Sequence, residues 1–141
     1  QLTPALNITP IRVPHRDEYS ETVGYRIEGP NNSLLFIPDI DKWGKWEKDI
    51  REEIKNVDYA LLDGSFYNGE EINYRDISEI PHPFLIESLE YFTPMSTENR
   101  DKVHFIHFNH TNPILRKDEG VIEAITKPGY HICELNQRFQ L

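Results

Sequence analysis

The stretch 103–115, VHFIHFNHTNPIL, restricts the fold more than any other part of the chain. It carries three of the six histidines, His104, His107 and His110, at three-residue intervals. That interval would stack them along one stripe of a helix, but the Val, Phe and Ile between them favour a strand. Side chains alternate along a strand, so His104 and His107 face opposite ways. Asn109, Thr111, Asn112 and Pro113 then supply turn chemistry. The expectation is a buried strand that delivers His107 at its carboxyl end and His110 on the loop beyond, where open α/β sheets place their sites. A three-histidine metal knot does not fit this alternation.

Other short apolar runs surround that strand. Residues 8–14 (ITPIRVP) are held extended by Pro10 and Pro14. Residues 22–28 (TVGYRIE) alternate, Gly29-Pro30-Asn31-Asn32 is a turn, and 33–38 (SLLFIP) is a buried run. These three pieces imply two hairpin-like connections. The period then changes. Trp43, Trp46, Ile50 and Ile54 fall at three- and four-residue steps, predicting one amphipathic helix over 43–55. Residues 57–62 (VDYALL) read as a strand leading to Asp63-Gly64-Ser65, 67–80 as a long loop, and 83–92 as a helix with Pro83 in its first turn. Residues 93–101 read as a loop, 114–125 as a short irregular helix and 130–135 as a last strand. Three strands followed by alternating helices and strands define an α/β layered domain over residues 1–141, helices covering one face of a mixed sheet.

At 141 residues, 38% hydrophobic and 28% charged, the chain suits one globular domain. No apolar run approaches the ~20 residues of a membrane span, and no signal-peptide pattern is read at Gln1. A lone Cys133 in an apolar run reads as a buried small hydrophobe, and the lack of a disulfide framework suits a cytoplasmic setting. A net charge of −9 argues against a phosphate-backbone binder.

The informative pattern is positional. His15, Asp39, Asp63 and His107 each end or directly follow an apolar strand-like run. Histidine and aspartate are ligand types that suit zinc, iron or manganese, and a carboxylate can bridge two ions. Each has an ordinary alternative: Asp39, with Asp41, as a turn or N-cap residue before the helix, Asp63 as a turn former before Gly64, His15 as part of a Pro-rich turn, His107 as a packed strand end. Asp41 reads as an N-cap before the helix, while His104 and His131 read as packed core histidines. His82, between Pro81 and Pro83, serves either to cap a helix or to move protons in a cleft.

Taken in order, the segments VPH, VGYRIEG, LLFIPDID, YALLDGSFY, IPHPFLIESLEYF and VHFIHFNHTNPIL resemble the C-terminal half of the metallo-β-lactamase-fold hydrolases. The likeness is nearest to the branch containing pyrroloquinoline-quinone biosynthesis protein B, with tRNase Z more distant. It implies that His15 and His107 are metal ligands and that Asp39 bridges two metal ions, zinc or alternatively iron or manganese. It also implies that Asp63 and His82 handle protons or hold substrate, and that His110 and Asn112 lie in a substrate-near loop. The reaction implied is metal-assisted hydrolysis of a small ester-like molecule.

The family's HxHxDH signature is absent, and no His-x-His occurs in the chain. The family fold is a four-layer αββα sandwich of two similar halves, so the resemblance implies a partial, C-terminal domain. Such a half would hold metal weakly and be inactive by itself. It would also expose its inner sheet face, which implies pairing with the missing N-terminal half or with a second copy. Two rival expectations stand beside this one: a non-catalytic α/β interaction module or metal-free relative, and an RNA-processing nuclease of tRNase Z type. The acidic charge disfavours the latter.

Overall fold

The computed structural model describes residues 5–72, 77 and 80–141. Alternating apolar residues build β1 (Asn7–Val13), β2 (Thr22–Glu28) and β3 (Ser33–Ile37), which pair antiparallel. The turn between β2 and β3 closes where Gly29 N–H donates to Asn32 O at 2.9 Å. From β3 onward, β4 (Tyr59–Asp63), β5 (Val103–Ile106) and β6 (His131–Ile132) pair parallel. The sheet order is the chain order, β1 to β6. Since β2 alone runs against the others, β1, β3, β4 and β5 all end at one edge of the sheet. The mixed α/β architecture read from the sequence is the one observed.

Leu35, Ile37, Ala60, Leu62, Val103 and Phe105 point to one face and are fully buried there. They pack with Trp43, Ile50 and Ile54, with Leu85 and Phe92, and with Ile125, all in a single core cluster. These come from α1 (Ile50–Lys55), α2 (Leu85–Tyr91) and α4 (Glu119–Thr126) and from the turns beside them, whereas α3 (Thr97–Asp101) buries no residue. Each large side chain removed from water this completely contributes about 1.5–3 kcal/mol.

The predicted 43–55 helix is two pieces, a 3-10 turn at Trp43–Lys45 and then α1. Asp49 stops α1 from extending backward, because its extended backbone and its carboxylate, which accepts from Arg51 N–H at 2.9 Å, form an N-cap. The two indoles anchor the first piece instead: Trp43 Nε1 donates to Ser88 Oγ and Trp46 Nε1 to Arg12 O, both at 2.9 Å. Within 93–101, read as loop, Ser96 caps the five-residue α3. The irregular helix near 114–125 resolves into a 3-10 turn, Pro113–Arg116, and α4, capped by Asp118. The last strand is only His131–Ile132, and Cys133 beside it is half-buried rather than buried, with its thiol pKa pushed up by what burial it has. Of the predicted loop 67–80, residues 73–76 and 78–79 lie outside the described residues.

The opposite sheet face is apolar too. Pairing places Tyr25, Phe36 and Leu61 side by side, with Ile27, Leu34 and Ile106 around them. Tyr25 is 37% exposed, and Phe36, Leu61, Ile27 and Ile106 are half-buried. Part of this face is covered by the C-terminal segment, where Phe139 packs on Tyr59 and His104 with ring centroids 5.1 and 5.0 Å away. No helix among the described residues is long and apolar enough to cross a membrane.

Candidate metal centre

The common sheet edge brings the strand-end residues together. His15 follows β1 by two residues and Asp39 follows β3 by two. Their loops are tied by Asp41 N–H donating to Pro14 O at 2.7 Å. Asp63 is the last residue of β4, and His107 comes directly after β5. His82 reaches the same place from the segment before α2.

Two groups of donors result. Donor atoms of His15, Asp39 and His82 lie within 4.8 Å of one another, and so do those of Asp39, Asp63 and His107. His15 Nε2 and Asp39 Oδ1 are 2.9 Å apart, yet neither is aligned to hydrogen-bond, and both atoms are buried. Burying two polar atoms without a well-aligned hydrogen bond is costly. A cation between them would satisfy both, and nitrogen plus carboxylate oxygen is a donor set that zinc, iron or manganese accepts. The residues present therefore fit a metal ion.

Asp63 has no exposed surface. Its Oδ2 takes the His82 Nδ1 hydrogen at 2.7 Å and faces Ile40 N–H at 3.3 Å, while Oδ1 accepts from Ser65 N–H at 2.8 Å. Burial pulls the His82 pKa down, but the hydrogen bond and charge of Asp63, with the charges of Asp39 and Asp41, outweigh it, leaving a net upward shift. Asp41 itself is a turn residue. Burial pushes its carboxyl up, but contacts with Lys45 and the Lys42 backbone hold it below the ordinary range overall.

His107 is exposed and adopts φ 62°, the left-handed region that few non-glycine residues occupy. Three bonds from the 64–65 turn hold it there. Gly64 N–H donates to Ile106 O and Asn109 N–H to Ser65 O, both at 2.9 Å, and Ser65 Oγ lies 3.0 Å from His107 Nδ1. Only glycine fits at 64, because a Cβ would come within 2.8 Å of the Phe108 ring and 3.0 Å of Ile106 O. Ser65, which sequence reading did not single out, is 3% exposed. Its signal was the Asp-Gly-Ser turn itself.

Asn112 is fully buried. Its amide donates to Gly64 O and Ser65 O at 2.9 and 3.2 Å and accepts from Ile114 N–H at 3.0 Å, so it braces the turn from beneath. His110 is exposed beside Asn109, lining a shallow pocket of about 260 Å³ with Ser65, Phe66, His82, His107 and Phe108. His104 lies on the far face, 8% exposed, stacked on His131 at 4.6 Å. His131 is not a core residue: its ring is 44% exposed and pairs with Asp101 at 2.9 Å, because β6 is the sheet's last strand.

A strand-end His/Asp cluster on one edge of a mixed sheet is the arrangement that the resemblance to the metallo-β-lactamase fold implied. The family described as beta-lactamase superfamily domain matches residues 1–124, and the chain belongs to it. The coenzyme PQQ synthesis protein B of Methylococcus capsulatus is 27% identical over 132 residues, covering 85% of this chain and 41% of that protein. The crystal structure of zinc-bound PqqB from Methylobacterium extorquens superposes with a TM-score of 0.73 at 21% identity, covering 99% of this chain and 52% of that one. The fold is thus the metallo-β-lactamase fold, and the chain spans about half the length of these relatives or less.

Proposed function

We propose that the chain is the C-terminal part of a metal-dependent hydrolase of the PQQ-synthesis-protein-B type, acting on a small molecule in the cytoplasm. The observation that carries this reading is the buried His15 Nε2–Asp39 Oδ1 contact, 2.9 Å long and not aligned as a hydrogen bond, at the edge where Asp63, His82 and His107 converge. The zinc in the relative's structure supports zinc here, with iron or manganese compatible with the same donors.

His15, Asp39 and His107 would hold the metal, Asp39 lying between the two donor groups and suited to bridging two ions. When bound, the metal supplies Lewis acidity and lowers the pKa of a coordinated water. His82, steadied by Asp63, presents a protonatable ring to the cleft beside Phe66, where it transfers a proton or orients the substrate. His110 on the exposed rim contacts substrate, and Asn112 acts on the site through the turn that it braces. Segments outside this chain, or a second copy, would complete the site and cover the Tyr25–Phe36–Leu61 face.

Elemental analysis of the 141-residue protein beside a form extended at its N-terminus tests the proposal. Stoichiometric metal is expected in the extended form and weak binding in the shorter one. No metal in either form refutes the reading in favour of a metal-free interaction module.

A further inference from the structure

We propose that Ser65 is the positioning residue for His107 in the metal centre. Its hydroxyl accepts the Nδ1 hydrogen of the ring, so that the bare Nε2 is the nitrogen offered to a metal ion. This rests on the reading of His107 as a metal ligand. It goes beyond that reading in naming the ligating atom and the side chain that selects it.

The contact is short and closed to water. Ser65 Oγ lies 3.0 Å from His107 Nδ1, and Ser65 is 3% exposed. The serine is itself a fixed point. Its N–H donates to Asp63 Oδ1 at 2.8 Å, and its carbonyl accepts from Asn109 N–H at 2.9 Å and from Asn112 Nδ2 at 3.2 Å. The hydroxyl is therefore anchored both to the end of β4 and to the loop that follows His107.

His107 needs such an anchor. It is exposed, its backbone stands at φ 62°, and Ser65 Oγ is the one hydrogen-bond partner of its ring among the described residues. An exposed side chain without that contact must be ordered each time a ligand binds, which lowers affinity. The Asp63-Gly64-Ser65 turn in fact holds both rings of the cleft by the same atom. Asp63 takes Nδ1 of His82 at 2.7 Å, and Ser65 takes Nδ1 of His107.

The chemistry follows from the tautomer. A metal takes the imidazole nitrogen that carries no hydrogen, and the hydrogen bond made by the other nitrogen decides which one that is. Free histidine side chains keep the hydrogen mainly on Nε2. An oxygen acceptor at Nδ1 reverses that preference and leaves the Nε2 lone pair open. A serine hydroxyl can also donate, and then Nε2 would carry the hydrogen and could not ligate. The two arrangements differ in one observable, the position of a single hydrogen.

Long-range proton–nitrogen NMR of the imidazole rings in the 141-residue protein reads that position. The measurement is made at about pH 8.5, above the ordinary imidazole range, with the His107 signals assigned by their loss in His107→Gln. His107 is expected as the Nδ1–H tautomer with Nε2 bare. Ser65→Ala keeps every backbone bond of the turn and should return the hydrogen to Nε2, while Ser65→Thr restores the hydroxyl and the Nδ1–H form. An Nε2–H ring in the parent overturns the proposal. So does an unchanged ring in a Ser65→Ala variant whose circular dichroism matches the parent. Cobalt(II) affinity of the N-terminally extended protein gives a second readout: Ser65→Ala should weaken it roughly 10–100-fold, as loss of an outer partner does, and Ser65→Thr by less. If the Ser65→Ala form binds cobalt as the parent does, the positioning role fails and the metal-centre reading survives. If the extended parent holds no metal, both fail.

Discussion

His82 Nδ1 sits 2.7 Å from Asp63 Oδ2, and that carboxylate has no exposed surface. A buried carboxylate needs both charge compensation and hydrogen bonds. His82 supplies the first, while the backbone N–H groups of Ser65 and Ile40 supply part of the second. Replacing His82 with Gln keeps a hydrogen-bonding side chain and removes the charge. We expect a stability loss of about 2–3 kcal/mol, at the low end for breaking a buried pair because the backbone donors remain. Urea unfolding at pH 6 measures it, and an unchanged midpoint would show that the pair is not a stabilising one.

Asn112→Ala removes three hydrogen bonds and strands Gly64 O and Ile114 N–H, while Ser65 O keeps the Asn109 N–H. Each stranded group costs about 1–3 kcal/mol, so a total near 3 kcal/mol is expected. The same change frees the turn that holds His107 at φ 62°, so metal affinity of the extended protein should fall as well. Equal stability of the variant and the parent would remove the bracing role.

His104 carries the pH dependence expected of the far face. Burial, and then the charge of stacked His131, pull its pKa down to about 4. The unfolded chain takes up this proton near the ordinary value of about 6.5. Stability from this group is therefore complete above that pH and declines as pH falls toward 4, by on the order of 2–3 kcal/mol. His104→Leu should flatten the decline between pH 7 and 4.5 in denaturant melts. An equally steep decline in the variant would assign it to other groups.

The Tyr25–Phe36–Leu61 face predicts association. Apolar sheet surface that no helix among the described residues covers is expected to pair, with a second copy when nothing else is present. Sedimentation velocity should show concentration-dependent dimers of the 141-residue protein, and Tyr25→Lys, a change at a 37% exposed position, should shift them to monomers. A parent chain that stays monomeric at high concentration removes this expectation.

The strands and the meeting of His15, Asp39, Asp63 and His107 were legible because alternation and strand-end position are local signals. Where local signals compete, reading by period failed. The Trp43 to Ile54 spacing is helical, but the Asp49 cap and the two anchored indoles divide it, and only tertiary partners reveal that. The Ser96 cap of α3 was written in the sequence but belonged to a helix too short to show a period. His131 was misread as core because an edge strand looks like an interior one until its neighbours are known. The left-handed backbone at His107 and the Ser65 contact depend on β4 and β5 lying side by side, which no window of sequence contains.

Strands that enter the sheet in chain order can be laid down one after another, each on the free edge left by the last. No strand must be threaded between two already paired. During synthesis His15 and Asp39 would then meet as soon as the first three strands form. Asp63 and His82 join later, and His107 arrives only with β5. The His/Asp cluster is thus assembled in sequence, its amino-terminal pair first and the histidine after β5 last.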